Sequence, residues 1–191
     1  MLTEFEQVMS TVTKIFDQLE IQYMIGGSIA SSVHGAFRLT NDIDFVADIS
    51  RDKVEDLTSS LNEFYVDDEV IREALDTQSS FSMIHLKFIT KVDVFIKAKD
   101  KWTEGVWRRR KLMPISADGS FSAYVSSAED TILQKLVWFR IGNEVSDKQW
   151  SDILGMLQMQ RDRLDTEYMH SSAELLRLEK LLERAFDAAS S

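Results

Sequence analysis

The chain has 191 residues and a mass of 22.0 kDa, with 44% hydrophobic and 28% charged residues. That balance fits one globular unit, or one with a helical appendage, and excludes a disordered chain. It has no cysteine and only three well-separated histidines (His34, His85, His170), which excludes disulfides, thiol nucleophiles, iron–sulfur clusters and a local zinc motif. A net charge of −10 repels bulk nucleic acid.

The opening MLTEFEQVMS is acidic and amphipathic, unlike a signal peptide, and no apolar run reaches the ~18 residues a bilayer requires. A cytoplasmic location and no membrane partner are therefore expected. Residues 3–20 place Phe5, Val8, Met9, Val12, Ile15, Phe16 and Leu19 on one helix face. Tyr23–Ile25 reads as a short buried strand ending at Gly26-Gly27, with Ser28 as the cap of a helix from Ile29 to about His34. Residues 43–48 read as a strand, 51–62 as a helix, 64–66 as an edge strand, and 68–75 as a helix. Two strands are expected at 81–88 and 91–97, joined by a short Ile-Thr turn. In the second, Val92, Val94 and Ile96 alternate with Asp93, Phe95 and Lys97.

Residues 99–110 look helical. Asp118-Gly119 lies between two short apolar runs as a hairpin turn. Ser126 or Ser127 opens a helix to Arg140, closed by Gly142-Asn143. Further helices are expected at about 146–159, 165–170 and 172–188. The single proline and the lack of any Gly/Ser linker leave one composition shift. An α/β part (1–125) is followed by a helical part (126–191) packed on it. From Lys97 to Lys111, seven basic residues stand against two acidic ones, a local charge of +5 on an acidic chain.

The chemistry concentrates in strand–Gly-Gly-Ser–helix, then Asp42-Ile43-Asp44, then Asp93 inside an apolar strand. Consecutive glycines let a ligand approach the backbone, and the first N–H groups of a helix favour phosphate. Asp42 and Asp44, two apart on a strand, share a face. Side by side they resist joint ionisation, a cost that a divalent cation removes. If the Asp93 strand lies beside theirs, three carboxylates converge. That is the equipment of two-metal phosphoryl or nucleotidyl transfer.

In this order, IGGSIASSVHGAFRLTNDIDF and KVDVF resemble the signature of the polymerase-β-type nucleotidyltransferase superfamily. Over about residues 20–187, in segments such as SFSMIHLKFITKVDVFI and SAEDTILQKLVWFRIGNEVSDKQWSDILGML, the chain most resembles its small prokaryotic AbiEii-like members, known as toxin components of abortive-infection and toxin–antitoxin modules, and their uncharacterised relatives. The resemblance implies a nucleotidyltransferase fold, with a small mixed sheet flanked by helices and a C-terminal helical bundle. It implies a Mg²⁺-dependent enzyme with two ions that moves a nucleoside monophosphate from a nucleoside triphosphate to a hydroxyl. The acceptor would be RNA such as tRNA, a protein or a small molecule, and an antitoxin protein would be a partner.

By the same resemblance, Gly26, Gly27 and Ser28 bind the nucleotide, the last two at its β,γ-phosphates. Asp42, Asp44 and Asp93 are the catalytic metal ligands, and Asp93 also helps deprotonate the acceptor. Lys135 points toward the nucleotide and Asp152 follows it on the next helix, while Arg108 to Arg110 are offered to triphosphate or acceptor. One departure is that Gln149 stands where the subgroup carries an acid. The alternative is a catalytically silent nucleotide- or partner-binding module. The four tryptophans are expected to pack between layers, His34 to sit charged at a helix end, and His85 to be structural.

Overall fold

A computed structural model describes residues 2–37 and 39–190. Arg38, within the glycine–aspartate motif, and the chain ends Met1 and Ser191 lie outside the described residues. The first element, α1 (Glu4–Gln18), begins with a reciprocal cap. Thr3 Oγ1 accepts from the Glu6 N–H at 3.2 Å, and the Glu6 carboxylate accepts from the Thr3 N–H at 2.7 Å. Its apolar face, Val8, Val12, Ile15 and Phe16, is buried, as the spacing predicts.

Next come β1 (Gln22–Ile25), α2 (Gly27–Val33), β2 (Asp42–Asp48), α3 (Val54–Ser60), β3 (Phe64–Tyr65), α4 (Asp68–Thr77), β4 (Ser80–His85) and β5 (Thr90–Ile96). The rest is α5 (Lys101–Arg109), β6 (Lys111–Pro114), β7 (Ser122–Val125), α6 (Ala128–Ile141), α7 (Asp147–Gln160), α8 (Thr166–Leu176) and α9 (Glu179–Ser190). Among the described residues, seven strands form one mixed sheet in the order β3-β4-β5-β2-β1-β7-β6. The pairs β2–β5 and β1–β7 are parallel; β1–β2, β3–β4, β4–β5 and β6–β7 are antiparallel. This is the mixed α/β sheet with flanking helices that was expected.

The sheet has two different faces. Ile43, Phe45 and Ala47 of β2 join Tyr23, Ile25, Val92 and Val94 in a core with Phe16, Leu57 and Ile71. Phe16, Tyr23 and Phe45 meet in tilted and edge-on contacts with centroids 5.6–5.9 Å apart. The alternate residues of β2, including Asp42, Asp44 and Val46, turn to the other face. A second core joins Ala36 to Ile132, Leu133 and Leu136 of α6, Ile153 and Met156 of α7, and Met169 and Leu182 beyond. A small third cluster, Met24, Val106 and Trp107, lies between β1 and α5.

Several boundaries differ from the sequence reading. Gly26, not Ser28, is the N-cap of α2, which starts at Gly27. The helix expected over 51–62 splits into a 3₁₀ turn, Arg51–Lys53, and α3. β4 stops at His85, because the turn runs through Leu86–Ile89; Ile89 takes a positive φ of 51° and its N–H returns to the His85 carbonyl at 2.8 Å. Of the two expected caps of α6, Ser127 is the one used, as its Oγ accepts from the Asp130 N–H at 3.1 Å. The break between the last two helices falls at Arg177, not near Ser171. There the backbone turns left-handed at φ 56°, and the Leu178 N–H closes on the Ala173 carbonyl at 2.7 Å.

Candidate functional site

The site is built where β1 hands the chain to α2, alongside β2 and β5. The Gly26 N–H donates to the Asp44 carbonyl at 2.9 Å, extending the β1–β2 ladder by one bond. Gly27 then takes a φ of +56°, and a Cβ placed on it would lie 1.8 Å from Asp44 Oδ2. Glycine is required here twice over, for the left-handed backbone and for the space the carboxylate occupies.

The parallel register of β2 and β5 sets Asp44 directly opposite Asp93, and Asp42 opposite Lys91. On the far side of β5, Ser82 of β4 is opposite Asp93. The three predicted carboxylates therefore share one sheet face. Asp93 is held by its neighbours: Lys91 Nζ donates to its Oδ2 at 2.8 Å and Ser82 Oγ to its Oδ1 at 2.5 Å. Lys91 and Ser82 were not among the predicted site residues. The available signal was the period of two in β5, which puts position 91 on the face of position 93. Burial pushes the Asp44 carboxyl above its usual range, and the Asp93 and Asp42 charges add to this; Lys135 and Lys91 oppose it. The hydrogen bond to Asp93 holds the Lys91 ammonium above its ordinary range.

A cavity of about 560 Å³ opens beside Asp44. Gly26, Gly27, Ser28, Asp44 and Lys135 line it, so four of the five are predicted nucleotide-binding residues and the fifth is a predicted carboxylate. Asp42 and Asp93 are not in its wall. Asp42 lies along β2 on the side of Asp44 away from Val46, and Val46 does line the cavity. The other walls include Met24, Phe95, Trp102, Val106 and Trp138. Of the tryptophans expected to pack between layers, Trp107 is buried and Trp150 stacks on Phe139 at 5.1 Å, whereas Trp102 and Trp138 line this cavity. Gln149, the position that departs from the subgroup pattern, also lines it.

Lys135 is buried on α6 and pairs with the buried Asp152 of α7 at 2.8 Å. Its ammonium thus reaches the cavity wall while tied to a carboxylate. Asp130, at the same wall, accepts from Arg109 Nε at 3.1 Å and from the Tyr168 hydroxyl at 2.8 Å, with Arg109 Nη2 in further contact. Burial still pushes the Asp130 carboxyl up, against Arg109 and Ser127.

The basic stripe is less available than its sequence implies. Arg109 is engaged by Asp130. Arg110 donates to the Trp107 carbonyl at 2.6 Å and lies over the Trp107 ring at 4.6 Å. Lys97 pairs with Asp48 at 3.1 Å and Glu104 at 2.7 Å. His34, expected to be charged at a helix end, is buried with Nε2 2.8 Å from the Ser126 carbonyl oxygen, and burial lowers its pKa. Desolvation there outweighs the Ser126 carbonyl and the Glu129 charge, both of which favour the protonated ring. His85 is buried against Phe64 and Phe88 and accepts from the Phe88 N–H at 3.2 Å, a structural role.

The residue types suit a hard divalent ion: three carboxylates on one face, one of them disfavoured by burial and then by the other two charges. As placed, however, no three His, Asp or Glu side chains among the described residues are arranged so that together they could hold a metal ion, and Asp93 is turned to Lys91 and Ser82. No helix is long and apolar enough to cross a membrane among the described residues.

No family model and no curated protein sequence matches the chain. Solved structures do. An antigenic nucleotidyltransferase-like protein from Paracoccidioides brasiliensis is similar over 97% of this chain and 93% of its own, with a TM-score of 0.53 and 16% identity. The antibiotic-resistance factor ANT(2'')-Ia is similar over 96% of this chain and 100% of its own, with a TM-score of 0.53 and 14% identity. Likeness at this level, over nearly the full length of both chains, identifies the architecture as the nucleotidyltransferase fold.

Proposed function

We propose that the chain is a Mg²⁺-dependent nucleotidyltransferase that moves a nucleoside monophosphate from a nucleoside triphosphate to a hydroxyl. The observation that carries this reading is the β2–β5 register. It brings Asp42, Asp44 and Asp93 to one sheet face beside a glycine whose missing Cβ makes room for Asp44 Oδ2. The fold of the similar solved structures supports it.

Asp42, Asp44 and Asp93 would hold two magnesium ions. When bound, these neutralise the triphosphate and make the attacking hydroxyl more acidic. Gly26 and Gly27 leave the backbone open to the phosphates, and Ser28 offers a hydroxyl at the same cavity wall. Lys135 supplies a fixed positive charge there, and Asp152 orients it. The acceptor oxygen bonds to the α-phosphorus as the bond to the leaving pyrophosphate breaks. Asp93 takes the acceptor's proton on a carboxylate oxygen. Most of the rate then comes from positioning and charge complementarity. The cavity is within the size range of small-ligand sites, and its Phe95, Trp102 and Trp138 rings suit the nucleobase or an apolar part of the acceptor.

The net charge favours a small-molecule or protein acceptor over long nucleic acid, with tRNA as the remaining candidate. A toxin role with a neighbouring antitoxin rests on the sequence likeness to AbiEii-like proteins alone. Growth arrest on expression that requires Asp44 tests it.

The decisive experiment incubates the protein with each α-³²P-labelled triphosphate, Mg²⁺ and a cell extract, then follows the label. Transfer that falls about 10³-fold in Asp44→Asn, close to 4 kcal/mol of barrier, supports the enzyme. Nucleotide binding by calorimetry with no transfer establishes the silent binding module. Neither binding nor transfer with all four triphosphates sinks both.

A further inference from the structure

We propose that Lys91 is a built-in counter-cation of the carboxylate cluster, a positioning residue that holds Asp93 until a divalent ion displaces it. The inference rests on the metal-dependent reading above and extends it to a residue outside the glycine–aspartate motif.

The sheet register supplies the argument. Lys91 is opposite Asp42 and two residues from Asp93 on the same strand, so its ammonium enters a face that carries three carboxylates. It takes Asp93 Oδ2 at 2.8 Å while Ser82 fixes Oδ1 at 2.5 Å. Both oxygens of the third carboxylate are thus satisfied by the protein's own donors. The Asp93 side chain is 17% exposed, whereas that of Lys91 is 49% exposed. The carboxylate is therefore set in place, and the cation sits on a flexible stem with solvent to retreat into. In this proposal a divalent ion that takes Asp93 competes with Lys91 for its Oδ2, replaces one positive charge by two and sends Lys91 to solvent. Lys91 consequently raises the ion concentration needed to load the site, and it limits carboxylate repulsion while the site is empty.

The test measures Mn²⁺ binding directly, by the loss of the free-ion paramagnetic resonance signal, in wild type, Lys91→Met, Lys91→Arg and Asp44→Asn. Thermal unfolding of each variant without metal verifies folding. Lys91→Met should bind Mn²⁺ about fivefold more tightly, the scale of a partly exposed ion pair, and Lys91→Arg should not. Equal or weaker binding by Lys91→Met, with wild-type binding intact and lost in Asp44→Asn, overturns the role of Lys91 and leaves the metal reading standing. No Mn²⁺ binding by either wild type or Lys91→Met overturns both.

Discussion

The buried carboxylates of α6 and α7 and the three at the candidate site on the sheet are compensated differently. On α6 and α7, Asp130 and Asp152 are buried and each has its own cation, Arg109 and Lys135. On β2 and β5, Asp42, Asp44 and Asp93 share a face with one half-exposed lysine, and Asp44 also feels the charge of Lys135. One-to-one pairing joins elements: Arg109 ties α5 to α6 and, with Tyr168, to α8; Lys135 ties α6 to α7. A shared, under-compensated face instead stores repulsion that an added cation relieves. Charge of the first kind specifies packing, and charge of the second kind is suited to chemistry.

The largest effect on stability should come from the paired set. Asp152→Ala leaves Lys135 buried beside the cavity without its carboxylate and should cost about 3–5 kcal/mol in urea unfolding. Replacing both, Lys135→Met with Asp152→Leu, should recover most of that loss. A cost below ~1 kcal/mol for the single variant would break the distinction between the two regions.

Gly27→Ala should follow, because its Cβ meets Asp44 Oδ2 at 1.8 Å and its φ is +56°. Strain of roughly 1–3 kcal/mol is expected. Nucleotide transfer should be lost more completely than the fold, since the relief is movement of Asp44. Labelled-nucleotide transfer assays beside urea melts separate the two.

Asp44→Asn should do the opposite to stability. Removing the charge that burial, Asp93 and Asp42 all disfavour should stabilise the metal-free protein. Raising the melting temperature by about 2–4 °C corresponds to ~1 kcal/mol in a chain of this size, while transfer disappears. A melting temperature that falls would show that Asp44 is compensated like Asp152.

The smallest signal is in pH. The Asp44 carboxyl is raised in the folded state above its ordinary 3.8, so between the two values the folded state binds more protons. Its contribution to stability is thus present at low pH and lost as pH rises from about that value through the folded pKa. The melting temperature of wild type minus that of Asp44→Asn should fall across this window without divalent ions and flatten when Mg²⁺ is added.

Local chemistry explains what could be read along the chain. Asp42 and Asp44 had to share a face because strand side chains alternate, and Gly26-Gly27 had to be a turn because a strand ended there. The edge position of β3, the hairpin at Asp118-Gly119 and the α6 helix followed from the same local rules. Contacts between distant segments were not legible in this way. The parallel pairing that sets Asp93 beside Asp44, the β4 serine that holds Asp93, and the Arg109–Asp130 and Lys135–Asp152 pairs each join segments or strands that sequence order does not align, whereas Lys91 lies two residues from Asp93 on one strand and was within reach of the period of two. Burial of His34 under the Ser126 carbonyl reversed an expectation drawn from its helix end.

The amino-acid order by itself determined which face of its own strand or helix each candidate site residue occupies, because periodicity and glycine's conformational freedom act within a few bonds. Only the tertiary structure decided which charges are compensated. That depends on strand register and helix packing, where burial and a neighbour a few ångströms away outweigh any local preference.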